Sequence, residues 1–365
     1  MNPIPNKLLS ELTTFRIGGP AEYYVSVPNL AELRIALDFA KSGKLSVFIL
    51  GGGSNLLVSD QGFRGLVISL DIKSFEVTET AGGAELKIGA GENWDAVVER
   101  SISMNLWGIE NLSDIPGSMG AAPVQNIGAY GQEVSQTIKS VEVLDVQTGK
   151  VMNFAKNQCG FAYRQSYFNT VWKNRFAILS VTLALSKNGL PNLTYFDVKK
   201  YFERVAHPNP GLLEIRNAII EIRKNKFPDL SALGTAGSFF KNLLITEDQY
   251  DLLEENVRKN FSAATAARLA EIKDKFPQVG GIKIPTAYLI DICGLKGKVL
   301  GGVRLWERQA LVIVNQGQAK ATDVAGLFKF VRQKVYAKTG MEIMPEPELV
   351  GFGKEELENY FSLTI

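Results

Sequence analysis

Hydrophobic and polar positions alternate along the first half of the chain with the periods of both helices and strands. Residues 28–44 carry apolar side chains at helical spacing, and the helix should begin at the capping pair Asn29 and Glu32. A glycine turn separates a strand from a helix within 85–105, and a hairpin with glycine in its turn covers 141–154. Short apolar runs typical of buried strands occupy residues 46–50, 65–70 and 176–186. The pattern predicts an α+β arrangement rich in glycine loops.

Helical spacing dominates the second half of the chain. Helices are predicted over residues 214–226, 246–259, 285–297 and 322–340. Thr246 and Gln249 form a capping box at the start of the second of these helices. An apolar strand covers 310–315, and residues 341–353 form a final extended segment. The proline-rich HPNPG at 207–211 indicates a boundary between the two halves.

Length and charge restrict the class of protein. The chain has 365 residues, more than one ordinary domain holds, so two or three domains are expected. Hydrophobic residues make up 45%, charged residues 21%, and the formal net charge is +2, which is typical of a globular protein without a strong field for nucleic acid or anionic membrane. No run approaches the ~20 apolar residues of a membrane span, and the first residues lack a signal-peptide pattern. We expect a cytoplasmic monomer with two free cysteines and no nucleic-acid or membrane partner.

The sequence contains a single histidine, His207. A Ser-His-Asp triad, a histidine-rich metal site or a histidine general base would have to use it. His207 precedes a proline, which favours a turn, and no cluster of residues has zinc-ligand spacing. We therefore expect no metal site, and we expect proton chemistry from Ser, Tyr, Lys, Asp or Glu.

Two glycine-rich loops are candidates for binding phosphate. GGGSN at 51–55 follows a predicted strand, and its glycines would let backbone N–H groups converge on an anion. It matches neither the GxGxxG fingerprint nor a P-loop, and an ordinary glycine turn is the alternative. DIPGSMGAAPVQNIGAYG at 114–131 has almost no charge and no periodicity, which fits either a loop around a flat ligand or a buried Ω-loop. Together the two loops predict a dinucleotide phosphate held by backbone groups.

Two further segments place charged groups in unusual surroundings. FAYRQSYF at 161–168 sets Arg164 among aromatic residues, which indicates either an anion site or a structural salt bridge. PEPEL at 345–349 presents Glu346 and Glu348 on one face of an extended segment, and a solvated edge strand is the alternative.

The segment GTAGSFFKN at 234–242 combines small residues, a hydroxyl, two rings, a cation and an amide. Together with the loop 114–131, FAYRQS and EPE, it resembles the UDP-N-acetylenolpyruvoylglucosamine reductase family, the flavoenzymes that complete UDP-N-acetylmuramate for bacterial peptidoglycan. The resemblance runs from TTFRIGGPAEYYV to EPELVGFG and covers nearly the whole chain. The glycine loops alone would match the wider vanillyl-alcohol-oxidase-type FAD-binding fold, whereas GSFFKN and EPE are specific to the reductases.

The resemblance implies a fold and a set of cofactors. The fold class is α+β, a vanillyl-alcohol-oxidase-type (PCMH) FAD-binding fold of two subdomains plus an α+β substrate-binding domain. We place the first subdomain at 1–70, with 345–365 returning to it, the second at 71–212 and the substrate-binding domain at 213–344. The cofactor is FAD, bound non-covalently since His207 lies outside both glycine loops, and NADPH is the reductant. The substrate is a UDP-sugar enolpyruvyl ether.

The family's site residues carry over onto matching positions. The resemblance implies that Arg164 and Glu348 polarise the substrate carboxylate and that Ser238 donates a proton. The small residues beside Ser238 would let its hydroxyl approach the substrate closely. Positions matching substrate contacts are Tyr163, Tyr195 (in the family's mobile tyrosine loop), Lys226, Asn242 and Gln309. Positions implied to contact FAD are Gly51, Gly52, Gly53, Ser54, Asn55, Pro116, Gly117, Gly120, Asn126, Gly128, Tyr130, Gly131 and Arg223. The family often has arginine two residues after the glutamate, where this chain has Val350, which weakens the carry-over of the C-terminal contacts.

Two other functions compete with the reductase. A flavin oxidase of the same fold would react rapidly with oxygen and would not use NADPH, but the chain lacks a flavin-linking histidine and has Ser238. A nucleotide-binding scaffold without activity would have lost catalytic groups, whereas Arg164, Ser238 and Glu348 are all present.

Overall fold

The structure, a computed structural model, describes residues 2–275, 277–278 and 281–362. The helices of this part of the chain are α1 (Leu30–Gly43), α2 (Trp94–Ser103), α3 (Phe196–Arg204), α4 (Leu212–Lys226), α5 (Glu247–Asn260), α6 (Ala263–Lys275), α7 (Thr286–Ile292), α8 (Ala321–Thr339) and α9 (Lys354–Phe361). Among these described helices, none is both long enough and apolar enough to cross a membrane.

The strands complete the α+β architecture. They are β1 (Ile4–Leu8), β2 (Pro20–Val27), β3 (Val47–Leu50), β4 (Leu56–Val58), β5 (Phe63–Leu70), β6 (Phe75–Thr80), β7 (Gly83–Gly89), β8 (Gly128–Ala129), β9 (Gln132–Glu133), β10 (Ile138–Asp145), β11 (Val151–Ala155), β12 (Phe176–Ser186), β13 (Gly234–Ser238), β14 (Leu243–Ile245), β15 (Pro277–Gln278), β16 (Gly281–Ile284), β17 (Val299–Leu300), β18 (Val303–Leu305), β19 (Val312–Asn315) and β20 (Glu348–Val350).

Local sequence signals are confirmed where they were strong. Helix α1 begins after Asn29, whose side-chain oxygen accepts the Glu32 N–H at 2.9 Å. Helix α5 begins with the predicted capping box, in which Thr246 and Gln249 each accept a backbone N–H from the other. Strand β12 has the predicted bounds, while α7 is shorter than the predicted helix because the chain leaves it just before Gly294, at φ +70°. The sequence pattern does not predict α3, α6 or α9.

Contacts divide the chain into two compact units. The first unit comprises Met1–Lys7, Ala21–Gly53 and Arg64–Asn225, and the second comprises Leu8–Pro20, Ser54–Phe63 and Lys226–Ile365. The finer division into three subdomains stays a prediction.

The first unit is built on two sheets. One is antiparallel in the order β11-β10-β12-β7-β6, and the other has the order β1-β2-β5-β3, in which β3 runs parallel to β5. Helices α1 and α2 bury their apolar faces in a common core with fully buried sheet residues such as Leu66, Leu86 and Val181. A smaller cluster joins α3 and α4 around Tyr130. The strand β3 ends at Leu50, so the sheet delivers the first glycine loop at a defined point.

The second unit contains the sheet β13-β19-β18-β17, the sheet β14-β16-β15 and the parallel pair β20-β4. Its core surrounds α8, whose Phe328 and Val331 are fully buried. In the parallel pair, Glu348 lies opposite Leu56, the residue that follows GGGSN. The fold of this unit therefore joins two of the motifs that the sequence singles out.

Candidate active site

The two glycine loops of the first unit pack directly against each other. A Cβ added at Gly51 would lie 2.9 Å from Ala121 Cβ and 3.0 Å from Ser118 Oγ. A Cβ at Gly52 would lie 2.6 Å from Gly117 Cα. Because real Cβ contacts are longer, only glycine allows this approach of two backbones. The predicted partnership of the two loops is therefore a feature of the fold.

Unused hydrogen-bond donors mark the place where the loops meet. Gly53 turns the chain with φ +64°. Within the described part of the chain, the backbone N–H groups of Gly52, Gly53 and Ser118 donate to no protein acceptor. The Ser118 hydroxyl is also buried without a partner among the described residues. Clustered amides and a hydroxyl of this kind suit phosphate oxygens, so these residues fit the pyrophosphate of a dinucleotide such as FAD.

Asn126 organises the second glycine loop from inside the protein. It is fully buried at φ +47°, a conformation that Asn tolerates. Its side-chain amide donates to Glu133 Oε2 at 2.9 Å and to the Ala162 carbonyl at 3.0 Å, and its oxygen accepts the Ser135 N–H at 3.1 Å. Because the Asn126 side chain is engaged in these bonds, a contact from this residue to FAD would use the backbone.

Arg164 occupies a tight turn against this loop. Ala162 and Gln165 exchange backbone hydrogen bonds at 2.9 and 3.1 Å, which leaves Tyr163 and Arg164 as the two turn residues. Arg164 has φ +53°, a conformation that costs a residue with a Cβ free energy and is concentrated at functional sites. A Cβ at Gly128 would lie 3.2 Å from Arg164 Nη1. The guanidinium therefore reaches the second glycine loop, with its Cζ 5.6 Å from the centroid of the Tyr163 ring.

Tyr130, Tyr195 and Arg223 come together in the same unit. The rings of Tyr130 and Tyr195 meet edge to face with centroids 5.4 Å apart. Arg223 is largely buried and donates from Nε to Asp114 Oδ2 at 3.0 Å, at the start of the second glycine loop. Burial raises the pKa of Tyr130 to about 12, so its hydroxyl keeps its proton at neutral pH. Three positions predicted from separate segments thus form one neighbourhood.

Ser238 lies in the second unit at the end of an irregular strand. The register between β13 and β19 shifts between Thr235 and Ser238, and Gly237 has φ +72°. This bulge re-aims the side chain that follows it. Ser238 is partly exposed, and its hydroxyl has no hydrogen-bond partner among the described residues. The hydroxyl is therefore available to a ligand.

Backbone hydrogen bonds tie the Ser238 segment to the EPE segment and to GGGSN. The Phe239 N–H donates to the Leu311 carbonyl at 2.6 Å, and the Phe239 carbonyl accepts the Glu346 N–H at 2.8 Å. The Asn55 carbonyl accepts the Glu348 N–H at 3.0 Å, and the Asn55 amide donates to the Glu346 carbonyl at 3.4 Å. Three motifs that are far apart in sequence therefore meet within the second unit.

The other predicted substrate contacts of the second unit make protein contacts of their own. The Lys226 carbonyl accepts the Trp306 indole N–H at 2.9 Å. The Asn242 side-chain oxygen accepts the Thr286 N–H at 3.1 Å. Gln309 is partly exposed in the turn before β19. No sequence signal distinguishes Trp306 as the residue that holds Lys226, because that contact joins segments 80 residues apart.

The predicted site residues are shared between the units. The first unit holds Gly51, Gly52, Gly53, Pro116, Gly117, Gly120, Asn126, Gly128, Tyr130, Gly131, Tyr163, Arg164, Tyr195 and Arg223. The second holds Ser54, Asn55, Lys226, Ser238, Asn242, Gln309 and Glu348. His207 is exposed, with Nε2 3.0 Å from Glu214 Oε2. Sequence reasoning missed Ser118, whose signal was its place within the predicted loop.

Comparison with known proteins assigns the family. A model of the UDP-N-acetylenolpyruvoylglucosamine reductase C-terminal domain matches residues 229–350, and a model of an FAD-binding domain matches 21–155. The UDP-N-acetylenolpyruvoylglucosamine reductase of Burkholderia multivorans is 37% identical over 94% of this chain and 96% of its own. The chain belongs to the UDP-N-acetylenolpyruvoylglucosamine reductase family. A reductase of the same name from Bdellovibrio bacteriovorus is 38% identical over 93% of this chain and 97% of its own.

A solved structure of the reductase family agrees with the fold. The UDP-N-acetylenolpyruvylglucosamine reductase (MurB) of Thermus caldophilus superposes with a TM-score of 0.63 at 24% identity, covering 96% of this chain and 98% of its own. The predicted vanillyl-alcohol-oxidase-type fold class is thereby confirmed. As a member of the reductase family with an FAD-binding domain, the protein is an FAD-containing oxidoreductase. The roles of individual site residues stay predictions.

A substitution in the first glycine loop tests the FAD site. Gly52→Ala should weaken FAD binding by about tenfold to a hundredfold, because the new methyl group forces the two loops apart at a strain of about 1–3 kcal/mol. Titrating apoprotein with FAD and following flavin fluorescence measures the Kd. Gly82→Ala is the matched control, since a Cβ there meets nothing within 4 Å. An unchanged Kd in Gly52→Ala would remove the loop from the cofactor site.

Proposed function

We propose that the protein reduces the enolpyruvyl ether of UDP-N-acetylglucosamine to UDP-N-acetylmuramate, with NADPH as the reductant, in the synthesis of peptidoglycan precursors. Support comes from the family and from the names of its members, which are reductases of UDP-N-acetylenolpyruvoylglucosamine. The observation that carries the proposal is the set of backbone hydrogen bonds that holds the Ser238 segment beside the EPE segment. A plain nucleotide-binding scaffold would have no need for this arrangement around an unpartnered hydroxyl.

The glycine loops are proposed to hold FAD. When bound, FAD supplies the hydride-transfer chemistry, accepting hydride from NADPH and passing it to the enol ether. The N–H groups of Gly52, Gly53 and Ser118 would bind the pyrophosphate, because their donors are unused by described protein groups. Tyr130 and Arg223 would contact FAD from the second loop and α4, where Asp114 fixes the Arg223 side chain. Histidine chemistry has no place in this scheme.

Ser238 is the proposed proton donor. After hydride reaches the terminal methylene, the adjacent carbon carries carbanion character, and a proton must be delivered to it. A serine hydroxyl is a weak acid in water, but it can protonate a strongly basic carbanion. The bulge at Gly237 presents the hydroxyl, and the backbone bonds of Phe239 fix the residue that follows. In this role Ser238 must lose its proton during each turnover and regain it from solvent or a neighbouring group.

Arg164 and Glu348 are proposed to stabilise the negative charge that develops on the substrate carboxylate. A guanidinium does so directly as a fixed cation with several donors. A glutamate stabilises an anion only as the protonated acid, so Glu348 would act as a hydrogen-bond donor. The strained conformation of Arg164 and the placement of Glu348 on a strand paired with β4 both favour fixed geometry. Tyr163, Tyr195, Lys226, Asn242 and Gln309 would contribute substrate contacts.

An anaerobic visible spectrum tests the proposed function. Purified protein with bound flavin should lose its absorbance on addition of NADPH and regain it on addition of the enolpyruvyl sugar. Absorbance that is lost but does not return would leave a flavoenzyme with another electron acceptor. Rapid recovery with oxygen and no response to NADPH would instead favour the oxidase.

A further inference from the structure

The short C-terminal helix α9 is held in the second unit by a buried arginine. Arg332 of α8 is 1% exposed and donates from Nη1 to the Phe361 carbonyl at 2.6 Å and from Nη2 to the Ser362 carbonyl at 2.5 Å. These carbonyls lie at the C-terminal end of α9, where the helix leaves acceptors unused and where its dipole favours a cation. A buried guanidinium is costly unless it is satisfied in this way, so the anchor needs α9 in place.

From this anchor, stacked rings lead to the segment that carries Ser238. Phe361 stacks on Phe328 with centroids 5.3 Å apart and an interplanar angle of 27°. Phe328 in turn stacks on Phe240 at 5.6 Å and 24°. Phe239 meets Phe240 edge to face at 5.7 Å. Phe239, Phe240 and Phe328 are fully buried, so this packing fixes the residues that directly follow Ser238.

The same helix also contacts the segment that carries Glu348. Phe352 lies four positions after Glu348, and its ring meets Phe361 edge to face with centroids 5.6 Å apart. Phe361 therefore touches the Ser238 side of the unit through Phe328 and the Glu348 side through Phe352. Ordinary core packing would fill space in both regions, but here one ring of one helix joins the two.

We propose that α9 is a positioning element for catalysis, which holds the Ser238 and Glu348 segments in register with each other through Phe361 and the Arg332 anchor. The proposal rests on the proposed function for the roles of Ser238 and Glu348. Phe361 touches no reacting atom, so it acts only through those two segments. Backbone hydrogen bonds already join the segments, and the ring stack removes the remaining freedom between them.

Phe361→Ala tests this role. The variant should reduce its flavin with NADPH as the wild type does, while reoxidation by the enolpyruvyl sugar should slow by about 10- to 100-fold, because small displacements of reacting groups cost rates of this order. Phe361→Leu keeps most of the buried volume and should recover part of the rate. Leu269→Ala, a fully buried residue of α6 in the same unit, is the control for lost stability alone and should slow neither step when the protein is folded.

Hydrogen exchange provides a readout that does not depend on the reaction. In Phe361→Ala, amides of residues 234–245 and 344–352 should exchange about tenfold faster, which corresponds to about 1.4 kcal/mol of lost local stability. Exchange that rises in Leu269→Ala but not in Phe361→Ala would overturn the proposal, whatever the substrate proves to be. Faster exchange in Phe361→Ala with normal reoxidation would also overturn it. A wild-type protein that the enol sugar fails to reoxidise would refute the proposed function instead, and the exchange data would still decide whether α9 couples the segments.

Discussion

Replacing Ser238 with alanine is expected to separate the two halves of the catalytic cycle. Flavin reduction by NADPH should proceed at the wild-type rate, since it needs no proton from this hydroxyl. Reoxidation by the enolpyruvyl sugar should slow by about 10²–10⁴-fold, the usual contribution of a positioned acid. Stopped-flow absorbance of the bound flavin under anaerobic conditions measures both steps on one sample.

Two further variants make the Ser238 result specific. Ser231→Ala removes an exposed hydroxyl of the same unit and should leave both steps unchanged. Ser238→Cys restores a proton donor of similar size and should recover part of the lost rate. A loss confined to substrate binding, with a raised KM and normal kcat, would show that Ser238 binds the sugar and does not protonate it. Near-normal reoxidation in Ser238→Ala would sink the proton-donor role altogether.

Replacing Arg216 with methionine is expected to give the largest loss of stability. Arg216 is largely buried and donates from both terminal nitrogens to Asp95, at 2.6 and 2.8 Å. Asp95 also accepts the Asp114 N–H at 2.5 Å, so the pair ties α4 to α2 and to the start of the second glycine loop. Removing one partner of such a pair strands the other charge, and the partial exposure of Asp95 sets the expected cost at about 3 kcal/mol. Urea unfolding followed by circular dichroism measures the change in the free energy of unfolding.

An exposed ion pair and a double variant are the controls for Arg216. Arg204 pairs with Glu221 at the surface, and both side chains are more than half exposed, so Arg204→Met should cost less than about 1 kcal/mol. The double variant Arg216→Met with Asp95→Asn removes the stranded charge and should recover part of the loss. A double variant no more stable than Arg216→Met would show that packing of the arginine stem, and not the charge, carries the effect.

The pH dependence of the Arg216 effect follows from the pKa of Asp95. Burial raises this pKa, but the hydrogen bonds from Arg216 and from the Asp114 backbone outweigh burial, so the pKa in the folded protein lies below its ordinary value. The contribution of the pair to stability is therefore present above the unfolded pKa of about 4 and is lost as the pH falls through the lower folded value. The stability difference between wild type and Arg216→Met should be largest at neutral pH and should narrow below about pH 4. An equal difference at both pH values would contradict the assignment of the effect to this carboxylate.

Local signals in the sequence were sufficient for many elements and for the family. The caps at Asn29 and Thr246 predict helix starts because a capping side chain bonds a backbone N–H only three residues away. The glycine loops at 51–55 and 114–131 were visible as phosphate-loop candidates because glycine leaves a compositional trace. The motifs around Arg164, Ser238 and Glu348 were sufficient for the reductase family, which the comparisons confirm.

Other parts of the fold left little trace in local pattern. Helix α9 has only eight residues, most of them polar, and its stability comes from Arg332 and from rings elsewhere in the second unit. The bulge before Ser238 depends on its pairing with β19, which lies more than 70 residues further along the chain. Asn126 was predicted as a cofactor contact, but only the folded loop shows that Glu133, Ser135 and Ala162 engage its side chain.

What the sequence by itself determined is therefore whatever acts between near neighbours: helix and strand periods, caps, glycine turns and the motifs of the family. The tertiary structure alone decided which distant groups meet. Arg216 finds Asp95 across 121 residues, and Phe361 finds Phe328 and Phe352 on different elements. The reason is physical: a local pattern depends on the backbone geometry of a few residues, whereas a long-range contact depends on how whole elements pack, and many partners of the same chemistry compete for each place.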